Sequence, residues 1–351
     1  MWLSAKFSKI FLLISIVAVV QAWSIFAWCG EPRGPAFIAA GETLEMPAGW
    51  LDKPVRYEKW AEGADMAVTL DQHLYPALVD RINRYAESHE ITIAVREGTC
   101  GISGGALSEK SADITGFCCP PGKSDRFPGV RYHTIAIGAL AMFVHPDNPV
   151  ESLTYEQAQQ IYQGRIINWS ELRTPAGRPA PNLPIKLIGR LHCKNRPGHW
   201  RNLLDNEDVF SPRLHEVGTI EDVMLQVAAD PMTIGGFETL YMGYHVYARN
   251  KAELSSSAHT KHRYEMIKAL KIDGIRPDDL EGLARGEYPL YFTYNISTWE
   301  KSGNPHVEKF VEFLIGQAQA VEDKYYMIPA KVLRRNGWKF HNNELIGEPG
   351  S

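Results

Sequence analysis

Apolar residues along this chain recur with two alternating periods, and that alternation predicts its architecture. Leu74, Leu78, Ile82 and Tyr85 repeat at helical spacing, and the β-branched run at 91–95 that follows predicts a short strand. Residues 132–145 form a long apolar run that stops at the turn Pro146-Asp147-Asn148-Pro149. Residues 154–163 predict a helix with a capping box, Thr154 with Gln157, closed by Gly164. A buried strand is expected at 185–189, and Thr219 with Asp222 opens a capped helix carrying Val223 and Val227. Residues 233–237 are again strand-like, and Val307, Phe310, Val311, Leu314 and Ala318 make an amphipathic helical stripe. Strands alternating with helices predict an α/β fold with mainly parallel sheets.

The N-terminus changes where this fold is expected to work. Lys6 and Lys9 precede an uncharged apolar run at 10–20, and Val20-Gln21-Ala22 offers the small residues a signal peptidase needs. The apolar character continues to Cys29, so 10–28 approaches the length that spans a membrane. Three readings stand for residues 1–30: a cleaved signal peptide, an uncleaved anchor, or a lipid anchor on Cys29. Each places the body of the protein in a periplasmic or other extracytoplasmic space, where thiols can oxidise. Residues 31–54, rich in Pro, Gly and Ala at their start, are expected to form a linker or arm. With 351 residues there is room for two domains, and a net charge of -4 argues against nucleic acid as a partner. No G-x-S-x-G elbow, H-E-x-x-H helix or P-loop occurs, which points to a binding protein and away from an enzyme.

Several segments, taken in order, carry a family resemblance. The segment MFVHPDNPVESLTYEQAQQIYQGRIINWSEL (142–172) resembles the hinge strand and following helix of extracytoplasmic phosphate-binding proteins of ABC transporters. SGGALSEKSADITGF (103–117), TIGGFETLYM (233–242), IDGIRPDDLEGLARGEYPLYFTYN (272–295) and YYMIPA (325–330) resemble further landmarks of that family in order and spacing. The resemblance covers roughly 55–332. It implies a type II periplasmic-binding-protein fold: two α/β lobes, a two-segment hinge and a central ligand cleft. The lobes would be 55–142 with 247–345, and 143–246. It also implies a small oxoanion ligand, phosphate or a relative, and a membrane permease or sensor kinase as partner.

The loops that would hold the oxoanion depart from the family pattern. The first reads Gly63-Ala64-Asp65-Met66, placing a carboxylate where a Gly/Ser/Thr turn is expected. The second keeps Thr99, Ser103, Gly104 and Gly105 but sets Cys100 among them. In the third, Cys118 stands for the family's serine and Cys119 for its charged residue. The fourth runs from Arg190, the match to the family arginine, through His192, Cys193 and Gly198 to His199. The resemblance therefore gives Asp65, Thr99, Cys100, Ser103, Gly104, Cys119, Arg190 and His199 as ligand-facing residues.

The cysteines leave alternatives open. Cys100, Cys118, Cys119 and Cys193 are four thiols, enough for two disulfides. Together with His192, they equally suit a thiol-bound metal or metalloid: zinc, copper(I) or trivalent arsenic. A haem has no C-x-x-C-H attachment sequence here, but a histidine or cysteine could serve as its axial ligand, so the alternative soft ligand is a metal ion, arsenite or haem held by these cysteines. Cys100 at a helix start near a histidine would also suit a thiol or redox enzyme on the same fold.

Overall fold

The longer strand-like runs join one mixed sheet in the computed structural model, which describes residue 37 and residues 43–121, 125–191, 200–204, 209–245, 266–318 and 325–350. In chain order the strands are β1 (Met66–Asp71), β2 (Ile93–Gly98), β3 (Ile114–Phe117), β4 (Val130–Val144), β5 (Ser152–Leu153), β6 (Lys186–Gly189), β7 (His215–Glu216), β8 (Thr233–Thr239), β9 (Lys268–Ala269), β10 (Lys271–Ile272), β11 (Tyr291–Trp299), β12 (Met327–Pro329), β13 (Lys339–His341) and β14 (Glu344–Gly347). The helices used below are α1 (Tyr75–Ser88), α2 (Cys100–Glu109), α3 (Tyr155–Tyr162), α4 (Ile220–Ala229) and α5 (Leu240–His245).

The main sheet runs β2-β1-β3-β11-β4-β8-β6-β7. Its wings are parallel, β2-β1-β3 on one side and β8-β6-β7 on the other. The middle is not: β3–β11, β11–β4 and β4–β8 are antiparallel pairs. The cause is β4, whose apolar run is long enough to serve both wings. Val130–Ala139 pairs with β11, and Leu140–Val144 pairs with β8. Because β8 runs back against β4, the C-terminal ends of both parallel wings face each other across its middle. Ligand sites in open α/β sheets form at such strand ends.

Local sequence explains most element boundaries. The stripe Leu74, Leu78, Ile82 and Tyr85 is buried where α1 packs on the sheet. The Thr154–Gln157 capping box closes the start of α3, and Gly164 follows its end at φ +75°. Trp169 is fully buried and donates from Nε1 to Met232 O at 3.0 Å, so it is a core residue. The expected arm is not free along its whole length. Trp50 is buried against Phe127 and Trp299, and Lys110 Nζ donates to the carbonyls of Leu51 (2.7 Å) and Lys53 (2.6 Å).

β8 carries a distortion that matters for the site. The β4–β8 register shifts between Ala141 and Met142, opposite Gly236 at φ +119° and Phe237 at φ +64°. Such a bulge re-aims the side chain that follows it, here Glu238. A Cβ on Gly236 would lie 2.8 Å from both Ala141 O and Phe143 Cδ2. Gly236→Ala is therefore expected to cost about 2–4 kcal/mol of stability, from backbone strain plus overpacking. The urea midpoint reads this directly; an unchanged midpoint would mean the bulge relaxes without loss.

Candidate functional site

Buried polar groups gather where the strand ends of the two wings meet. After β1 come Asp71 and His73, and after β3 come Cys118 and Cys119. Cys100 opens α2, Arg190 follows β6, and Glu238 lies near the end of β8. All seven are at most 6% exposed, which makes this a dry cluster of ionisable side chains.

His73 is the bridge. Its Nδ1 lies 3.2 Å from Asp71 Oδ1, which also accepts the His73 backbone N–H at 2.9 Å. Its Nε2 lies 3.0 Å from Glu238 Oε2, a residue 165 positions away on the other wing. Glu238 Oε1 in turn accepts from Arg190 Nη1 at 3.1 Å. Burial alone would push the His73 imidazole down. The hydrogen bonds and negative charges of Asp71 and Glu238 outweigh it and raise the ring to about 9. At neutral pH the cluster thus holds a protonated imidazole and a guanidinium against two carboxyl groups. Asp71 is pushed above the usual carboxylate range, first by burial and further by Cys100. Its Oδ2 has no hydrogen-bond partner among the described residues. A buried acceptor of that kind is costly unless a ligand supplies a donor.

Beside this network lie three sulfurs. Cys100 Sγ and Cys118 Sγ are 3.2 Å apart, and Cys118 Sγ and Cys119 Sγ are 3.9 Å apart. All three lie within 4.8 Å of one another, and Cys118 also forms such a group with Asp71 and His73. No disulfide joins cysteines among the described residues. The Cys118 backbone N–H donates to Cys100 Sγ at 3.4 Å, and Cys100 sits in the first turn of α2. Both features favour negative charge on that sulfur.

The residues expected from the sequence divide into five groups. Arg190, Cys100, Cys118 and Cys119 come together at the strand ends. Thr99 and Ser103 arrive nearby, but their hydroxyls have structural partners: Thr99 Oγ1 caps α2 by accepting from Ile102 N, and Ser103 Oγ lies 3.2 Å from Thr69 Oγ1. Gly104 lies in the body of α2. Asp65 is a correction. It is exposed and precedes β1, so it stands at the opposite end of that strand, about 20 Å from Asp71 at 3.3 Å per residue. There it accepts from Thr92 N at 2.8 Å, beside Asn304 and Tyr57. His192, Cys193 and His199 lie outside the described residues. The residues not anticipated are Asp71, His73 and Glu238. Asp71 ends the apolar run 66–70, a signal that the loop begins there.

With the geometry established, comparison with known proteins identifies the fold's kin. Residues 61–318 match the family model described as a PBP superfamily domain. The chain belongs to the PBP superfamily. Among curated relatives, the phosphate-binding protein PstS of Pseudomonas aeruginosa is 24% identical over 279 residues, covering 75% of this chain and 79% of the relative. PstS of Bacillus subtilis is 23% identical over 340 residues, 92% of this chain and 94% of its own length. An ABC-type phosphate transport receptor from Vibrio cholerae superposes with a TM-score of 0.57 at 19% identity, over 75% of this chain and 99% of the receptor. A putative phosphate ABC transporter substrate-binding protein from Clostridium perfringens, with bound phosphate, gives 0.59 at 16% identity, over 76% and 99%. This PBP superfamily member thus has the two-lobed fold, with β4 passing between the wings.

Proposed function

We propose that this protein is an extracytoplasmic solute-binding protein whose lobes close on a small oxyacid, phosphate or a related oxoanion, for delivery to a membrane permease or sensor. In this reading the lobes are 55–142 with 247–345, and 143–246, hinged where β4 passes from β11 to β8. The observation that carries it is the contact from His73 to Glu238 and on to Arg190, which ties one wing to the other through buried charge. Groups from both wings converge on one point, so a ligand held there favours the closed state over the open one.

Glu238 is itself an oxoanion. Its carboxylate, held by Arg190 and His73, stands where the acidic group of a ligand would be received. A protonated oxyacid could replace it on Arg190 while donating a hydroxyl to Asp71 Oδ2. The role of the first-loop acid passes from Asp65 to Asp71. Turnover plays no part in this account.

Calorimetric titration of the full chain with phosphate, arsenate and sulfate, with scattering to follow closure, tests the reading. Arg190→Ala is expected to weaken the bound oxoanion by about 10- to 100-fold, the worth of a charged hydrogen bond. Glu238→Gln is expected to strengthen it, because Arg190 then loses its internal competitor. A chain that binds none of the three and keeps one radius of gyration throughout would end the proposal.

A further inference from the structure

The three sulfurs are surplus to an oxoanion cradle. Cys100, Cys118 and Cys119 come from two separate strand ends, yet their sulfurs approach to between 3.2 and 4.8 Å at a dry site. Three thiols at that separation can bind a single trigonal, thiophilic centre with no fourth protein ligand. The immediate neighbours narrow the choice. Among the described residues, Asp71, Glu238, His73 and Arg190 balance one another in charge, so a free cation or a dianion would disturb their contacts. An uncharged ligand need not. Asp71 Oδ2, buried and lacking a hydrogen-bond partner among the described residues, calls for a hydroxyl donor.

We infer that the cleft takes trivalent arsenic, entering as uncharged arsenous acid and held by Cys100, Cys118 and Cys119. This rests on the preceding reading of the strand ends as a cleft for a small oxyacid, and it names the acid. Binding needs no oxidant or reductant. Each thiol sulfur forms an As–S bond as one As–O bond breaks, and the thiol proton leaves with the hydroxyl as water. Three such exchanges release three waters and leave arsenic in the same oxidation state. The Cys118 N–H on Cys100 Sγ and the position of Cys100 in the first turn of α2 favour the thiolate that attacks first. Asp71 Oδ2 can accept from the hydroxyl of the arriving acid. The pyramidal product matches three sulfurs on one side of the centre.

The test is X-ray absorption at the arsenic edge on the full chain loaded with sodium arsenite under reducing conditions, with intact mass on the same sample. The expected result is one arsenic per chain with three sulfur neighbours and a mass gain of one arsenic less three protons. Cys118→Ser and Cys119→Ser are each expected to weaken arsenite by more than about 100-fold, beyond the loss of an outer hydrogen-bonding partner. Oxygen neighbours only, or thiols that resist alkylation before arsenite is added because they are paired as disulfides, would overturn the inference. So would zinc or copper(I) displacing arsenite from the parent chain at equal concentration. Phosphate-driven closure with no arsenic–sulfur bonds would remove this inference and leave the broader proposal standing. Arsenic–sulfur bonds with no closure would do the reverse. Should a serine variant fail to fold, the absorption spectrum of the parent chain still decides.

Discussion

His73→Leu is expected to destabilise the protein by roughly 3–5 kcal/mol, the cost of stranding buried charge. Leucine fills the space of the ring and packs against Phe292, which the imidazole now meets edge-on at a centroid distance of 4.9 Å. What leucine cannot do is carry positive charge between Asp71 and Glu238, both about 1% exposed. Glu238 keeps Arg190, but among the described residues Asp71 is left with only the backbone N–H of residue 73. It must then ionise without a counter-charge or take up a proton. The double variant His73→Leu with Asp71→Asn separates the causes. Asparagine keeps the acceptor for that backbone N–H and removes the orphaned charge, so most of the lost stability should return. Urea denaturation of the two variants and the parent measures both steps. A single-variant loss below about 1 kcal/mol would mean that water reaches the carboxylates, and that the network does not hold the wings together.

How far the sequence reveals this site depends on the kind of interaction. Elements with local causes are legible: the Thr154–Gln157 capping box, the α1 stripe and the long strand at 130–144 all form as their patterns predict. The approach of Cys100 to Cys118 and Cys119 is legible in part, because each follows a strand of the same parallel wing, β2 and β3 on either side of β1. Asp65 misleads because Gly63-Ala64-Asp65 resembles a ligand-loop turn, whereas the buried strand 66–71 lies after it. Its all-buried pattern shows no alternation to mark its direction or its end. Glu238 is hidden for a different reason. It sits next to a run that reads as plain strand, and only the bulge at Gly236 and Phe237 turns its side chain toward His73. A contact spanning 165 residues, made by a distorted strand, has no local signature. The mixed character of the sheet is missed likewise, since one strand pairing with both wings is a property of topology and not of period.

Stability should also fall as pH rises above neutrality, and His73 is the reason. Its folded-state value of about 9 lies above the unfolded 6.5, because Asp71 and Glu238 outweigh the opposing effect of burial. A raised value means that the native state holds the proton more tightly, so the stabilisation is complete below about pH 6.5 and is lost as pH passes through about 9. A difference of that size corresponds to roughly 3 kcal/mol. Asp71 works in the same direction at lower pH, since burial raises it and its ionisation costs the fold. His133 sets the acid side. Burial, with Arg131 nearby, lowers it to about 4, so the native state loses stability below pH 6.5 as the unfolded chain takes up that proton. The urea midpoint of the parent should therefore decline steadily from pH 6.5 to 9, and that decline should vanish in His73→Leu with Asp71→Asn. A flat parent profile would contradict the bridging role of His73. Oxoanion affinity should fall across the same window. Once the imidazole is neutral, Arg190 is the one positive charge left among the described residues at the strand ends, and Glu238 competes for it.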